Sequence, residues 1–178
     1  MSNAIIDVSA SAITLRTRAT GMLARLAHDL EISAGAFEAE LQRDGDKWQA
    51  TLTFPVDRLT VVGALRHGRV DRSILSDKDR HEIERKLREE VLVGAQVVVR
   101  AAGSDSRSAE VEVMVPSGVQ RLRVALQSDP RQDGGSDIIG KLSLSLKALH
   151  IREVKAPLGA FKVDDTVEVA FVVVLPNT

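Results

Sequence analysis

The chain has 178 residues, enough to bury a core of its own as one domain spanning 1–178, and its 24 Lys and Arg offset 25 Asp and Glu to a formal net charge of -1, which offers no strong field for steering nucleic acid or acidic headgroups. It contains no cysteine, which excludes a disulfide framework, a thiolate metal site and a cysteine nucleophile. Aromatic residues make up 3% of the sequence, too few for the stacking platforms on which single-strand nucleic-acid readers hold bases.

Residues 1–19 lack the basic start and apolar core of a secretory leader, and no run is long enough to cross a bilayer as a helix. The expectation is a cytoplasmic protein without stable membrane insertion, or a periplasmic or secreted one if a leader has been trimmed away. Residues 13–18 form a short strand candidate. In the following stretch Leu30, Ile32 and Ala34 occupy even positions, whereas Phe37, Ala39 and Leu41 occupy odd ones. An inserted residue at Gly35 or Ala36 restores the inward face, so the sequence predicts a β-bulge that bends one long strand, as a closing barrel requires. After a turn signal at 43–47, Trp48, Ala50, Leu52 and Phe54 alternate with Gln49, Thr51 and Thr53, the pattern of a half-buried antiparallel strand. The basic group Arg66, His67, Arg69 and Arg72 reads most simply as a solvated loop, with contact to an anionic headgroup as the weaker reading.

Residues 74–92 stand apart from this β pattern. Ser76 and Asp79 have capping-box spacing, Asp77 adds negative charge to the first turn, and Ile83, Leu87 and Val91 recur at helical spacing as one narrow apolar stripe. Gly94 is placed to stop the helix. So thin a stripe suits a crossover or a lid on a barrel better than a core helix. Strand candidates resume at 95–101 and 110–115, separated by turn signals at 101–105 and 116–118. Leu122, Val124 and Leu126 share a face, as do Leu142, Leu144 and Leu146, with a mobile surface loop expected at 129–137. Val167, Val169, Phe171, Val173 and Leu175 form the last alternating row.

Motifs for chemistry fail on inspection. The stretch 134–142 has the Gly and Lys spacing of a phosphate loop, but Leu142 stands where Ser or Thr would hold Mg²⁺, and a strand pattern follows instead of a helix. His81 and Glu82 begin a zinc-protease motif whose second His is Arg85. The four His are scattered without ligand spacing, so no metal or other cofactor is expected. There is no G-x-S-x-G nucleophile elbow. His28 and Asp29 are adjacent and read as a strand-entrance pair, with a triad role far behind; no catalytic residue is assigned.

Four stretches, taken in order, resemble the YceI-like family of lipocalin-like barrels: 26–41, a His-containing entrance and a long strand with Gly and Phe; 74–92, an Asp-rich turn and short helix; 115–126, a hairpin with a Gly-containing turn; and 142–171, two closing strands with an intervening loop. The resemblance covers most of the chain. It implies an all-β fold with one short helix: an antiparallel eight-stranded lipocalin-like β-barrel, the helix in a crossover between strands, whose apolar interior holds a long isoprenoid or related lipid. It implies a binding or carrier protein and not an enzyme. A ligand-free module with a side-chain-filled barrel remains the main alternative, and a lipid hydrolase or isomerase the lesser one. The partner expected is a long-chain isoprenoid or other lipid, not nucleic acid, and the oligomeric state is open between monomer and homodimer.

On the alternating rows, the residues expected to line the barrel are Phe37, Trp48, Leu52, Phe54, Val99, Val113, Leu122, Val124, Leu144, Leu146, Val169 and Phe171, with His28 and Asp29 at a polar entrance. Magnitudes limit the ligand. Each buried methylene contributes about 0.8 kcal/mol, so ten give about 8 kcal/mol, near micromolar before the costs of association. A useful ligand is therefore longer than about ten carbons.

Overall fold

A computed structural model describes residues 2–21, 27–155 and 162–177. Leu26, at the start of the first stretch of family resemblance, and 156–161, in the loop between the closing strands, lie outside the described residues. In chain order the strands are β1 (Ser2–Ala4), β2 (Asp7–Thr17), β3 (Ala19–Thr20), β4 (Asp29–Ala34), β5 (Glu38–Asp44), β6 (Lys47–Pro55), β7 (Leu59–Arg66) and β8 (Arg69–Asp71). Helix α1 (Asp77–Lys86) follows, continued by a π turn at Leu87–Val91, and then β9 (Gln96–Gly103), β10 (Ser108–Val115), β11 (Gly118–Pro130), β12 (Ser136–Ser145), β13 (Lys162–Val163) and β14 (Thr166–Leu175).

One antiparallel sheet runs in the order β1-β5-β6-β9-β10-β11-β12-β14-β2-β4-β7-β8, and β13 pairs with β3 apart from it. The sheet curls, and chain connections join its two ends: β4 continues into β5, β6 into β7 and β1 into β2, each pair sitting at opposite ends of the strand order. Strands that switch sheets in this way make the corners of orthogonally packed barrels. The strand count exceeds the expected eight for this reason. Counting each corner-turning pair once leaves eight long strands plus the three-residue β8.

The predicted bulge at Gly35 and Ala36 is such a corner. Ile32 and Ala34 are buried on one side of it and Phe37 and Leu41 on the other, so the inward face is kept across the parity change. The Gly35 N–H donates to the Arg58 carbonyl at 3.0 Å, clipping the β4–β5 corner to the short 3-10 turn between β6 and β7. Phe37 and Phe54 pack tilted at the same corner with ring centroids 4.9 Å apart, a favoured aromatic geometry. The segment 129–137, expected as a mobile loop, is a tight turn: β11 and β12 pair out to Pro130 and Ser136, and the Arg131 N–H donates to the Gly135 carbonyl at 3.0 Å.

The helix occupies a gap in the wall. β9 pairs with β6 but not with its continuation β7, and β8 covers the free edge of β7 only from Ala64 to Arg66. Helix α1 lies along the remainder, where the Glu84 carboxylate accepts the Val61 N–H at 2.9 Å and satisfies a donor that no strand reaches. Ile83 and Leu87 rest half-buried against the core. The capping box forms in full: Asp79 N–H to Ser76 Oγ at 3.2 Å and Ser76 N–H to Asp79 Oδ2 at 2.9 Å. Ser76→Ala should cost about 1 kcal/mol, read as a lower midpoint in urea unfolding. The Ser76 hydroxyl and N–H hold the Asp79 carboxyl below its ordinary range. Its contribution is therefore complete above the ordinary carboxyl pKa and is lost as pH falls through the lowered value. Among the described residues no helix is long and apolar enough to cross a membrane.

Candidate functional site

The inward rows enclose a cavity of about 1080 Å³, walled by β2, β4 to β7, β9 to β12, β14 and the helix. Of the residues expected to line it, Trp48, Leu52, Phe54, Val99, Val113, Leu144, Leu146, Val169 and Phe171 stand on its wall. Phe37, Leu122 and Val124 do not. Phe37 is spent on the corner, stacked against Phe54. Val124, 2% exposed, and Leu122 are taken up by packing against Ala109, Val111 and Val113. Strand parity assigns a side chain to the inner face; it does not say whether a neighbour covers it.

Two aromatic residues are laid flat by glycines directly across the ladder. Trp48 pairs with Gly103, and a Cβ there would stand 2.7 Å from the indole; Gly140 pairs with Phe171, and a Cβ there would stand 2.3 Å from the ring. The rings therefore cover bare backbone and leave the interior open. The Trp48 indole N–H is satisfied by the Asp105 carbonyl at 2.8 Å.

Exposed groups mark two rims. One carries Arg43, Gly45, Asp46 and residues 104–106, from the β5–β6 and β9–β10 turns. The other carries Arg18, His28, Lys155 and Lys162. His28 thus stands at an entrance. Asp29, next to it, is not on the cavity wall; its carboxylate accepts the N–H of Ala19, which is, at 2.9 Å and holds the turn between β2 and β3. Beside the second rim the Glu153 carboxylate takes both Lys155, at 2.8 Å, and Lys162, which hold it down to about 2, so this cluster stays ionised through the physiological range. Between the rims the strands present an apolar wall, mostly aliphatic with Trp48, Phe54 and Phe171, and helix α1 adds Asp79, Glu82 and Lys86. Among the described residues no polar or charged side chain is buried, and no group of three His, Asp or Glu is placed to hold a metal.

Other wall positions were open to the same sequence reasoning. Ile13 and Leu15 of β2 share the parity of strands already chosen, and the small residues Ala50 and Ala101, facing each other across β6 and β9, create much of the space. Leu92 was hidden by the π turn. Its N–H reaches the Leu87 carbonyl at 2.8 Å, and this wider turn brings the two leucines to the wall together, five positions apart, where an α-helical period separates them.

No protein-family model matches the sequence, and no curated protein matches it. Among solved structures the chain is similar to BcnA of Burkholderia cenocepacia, with TM-score 0.64 and 13% identity over 96% of this chain and 99% of that one. It is also similar to a polyisoprenoid binding domain from Saccharophagus degradans implicated in plant cell wall breakdown, with TM-score 0.61 and 8% identity over 100% of this chain and 99% of that one. The chain has the YceI-like fold. At these identities the likeness concerns the fold, and it agrees with the family resemblance of the sequence stretches. In this YceI-like barrel the corners, the glycine-backed rings and the wall helix together hold the interior open.

Proposed function

We propose that this protein binds and carries a long apolar chain, a polyisoprenoid or a fatty-acyl-like chain, inside its barrel, with no chemistry of its own. The observation that carries the reading is the cavity: about 1080 Å³ with a predominantly apolar wall. At about 30 Å³ per water-sized group, that space holds on the order of thirty-five methyl or methylene groups. Protein interiors are close-packed, with few voids larger than a water molecule, so a space of this size is not a packing defect. The wall supplies apolar contact along its length, with polar groups at the rims and along the helix, where Asp79, Glu82 and Lys86 border the space. A polar metabolite needs a few convergent polar groups to orient it, whereas a lipid tail needs none. The Saccharophagus domain, described as polyisoprenoid-binding, supports the ligand class. A side-chain-filled barrel is the reading that the open cavity disfavours.

The test combines native mass spectrometry with one cavity-filling variant. Protein purified from cells should carry an apolar adduct, or take up a polyprenol or long-chain fatty acid when offered one. Ala101→Leu should displace about three methylenes of ligand and weaken binding by about 2 kcal/mol, roughly thirtyfold, while the β circular dichroism is kept. Absence of any adduct, together with identical titrations for both proteins, sinks the proposal.

A further inference from the structure

The net charge of -1 conceals a local cluster of arginines on the β7–β8 hairpin. The β7–β8 hairpin closes through His67 and Gly68, with φ of 51° and 77°, the two left-handed residues of a type I′ turn. Its register sets Arg66 directly opposite Arg69, and Arg72 follows just beyond β8. Like charges facing each other across a ladder repel, and hairpins normally avoid them. Among the described residues none of these three arginines forms a salt bridge. The adjacent Asp71 carboxylate instead accepts the Ser73 N–H and hydroxyl at 3.0 and 2.6 Å.

The hairpin lies beside the His28 rim without lining the cavity itself. Leu65 pairs with Asp29, so Arg66 lies next to the level of His28, whereas Arg18 at the same end is paired with Glu168, and Lys155 and Lys162 with Glu153.

We propose that the β7–β8 hairpin docks this end of the barrel onto the surface of an anionic lipid bilayer, bringing the cavity mouth to the membrane. Guanidinium groups suit phosphate recognition, and a facing Arg pair whose one neighbouring carboxylate, Asp71, is bonded to Ser73 is completed by an external anion. The location selects the partner. A bilayer supplies both the anionic surface for the arginines and the apolar chain for the cavity whose rim they flank; a nucleic acid supplies only the first. The choice of a bilayer and the exchange of ligand at the mouth rest on the lipid-binding reading above; that the arginines take an external anion does not.

Co-sedimentation tests it, with vesicles of phosphatidylcholine alone or mixed with phosphatidylglycerol. The full chain should sediment with the mixed vesicles at low salt, remain in solution with phosphatidylcholine, and be released as salt screens the contact. Each arginine near an anionic surface is worth about fivefold in partitioning, so the triple variant Arg66→Gln, Arg69→Gln, Arg72→Gln should lose about a hundredfold. Its melting temperature should hold or rise as the repulsion is removed, and its uptake of a soluble fluorescent fatty acid should match the parent. Vesicle binding without fatty-acid uptake would leave docking standing and remove the cavity reading. Equal sedimentation with both vesicle types, sedimentation with neither, a triple variant that behaves as the parent, or tighter binding to an RNA oligonucleotide than to the mixed vesicles would overturn the proposal.

Discussion

Gly35→Val should lower the unfolding free energy by about 3 kcal/mol, the upper range for forcing atoms into a filled space. A Cβ at this position would stand 2.8 Å from the Arg58 carbonyl oxygen, and the neighbour is backbone, which cannot swing aside as a side chain would. The same carbonyl accepts the Gly35 N–H, so relieving the clash breaks the bond that clips β4–β5 to β6–β7. Buried Ala34, Phe37, Val56 and Leu59 surround that clip, and opening it exposes apolar surface as well as strand ends. Ala36→Val, one residue along but exposed, is the control and should stay within about 0.5 kcal/mol of the parent. Urea unfolding of both variants reads the difference. Similar midpoints for Gly35→Val and Ala36→Val would mean that the corner has slack, and that the close approach does not hold the barrel shut.

The same corner marks how far the sequence could be read. The switch from Ile32 and Ala34 to Phe37 and Leu41 was visible as a change of parity, because burial on one face forces it. A bulge inside one ladder and a corner between two produce the same change. What separates them is the partner at Arg58, some twenty residues on and without a periodic signal of its own. The alternating rows gave the antiparallel barrel and most of the wall for the same reason: period two is a local rule. Depth is not local, so Phe37, Leu122 and Val124 were read onto a wall that other side chains cover. The openness of the interior depends on pairings such as Ala50 with Ala101 and Gly140 with Phe171, which only the register reveals. Summed charge likewise hides the arginine hairpin, because carboxylates elsewhere in the chain cancel it.

The helix was legible as a helix, through its capping box and stripe, but not as a section of wall. Leu87→Asp should test what that section does. Leu87 borders the cavity, packs half-buried against the core, and begins the π turn that also brings Leu92 to the wall. A carboxylate there faces an aliphatic interior without a partner, costing about 2 kcal/mol of helix docking, or roughly thirtyfold in the population of the undocked state. The remaining attachments are few: the Glu84 carboxylate on the Val61 N–H, the Ile83 contact and the apolar residues that flank the helix. An element held by so few contacts opens before the strands do. A bound fluorescent lipid, chased with unlabelled fatty acid, should therefore leave the Leu87→Asp protein about thirty times faster while the β circular dichroism stays intact. Glu84→Ala, which frees the same edge of β7 without placing a charge in the cavity, should act in the same direction. Unchanged release from both folded variants would reduce the helix to a connection between β8 and β9. Loss of the β signal in Leu87→Asp would instead make the helix part of what holds the barrel together, since the strands would then depend on a stripe of only three residues and on the wall gap that it fills.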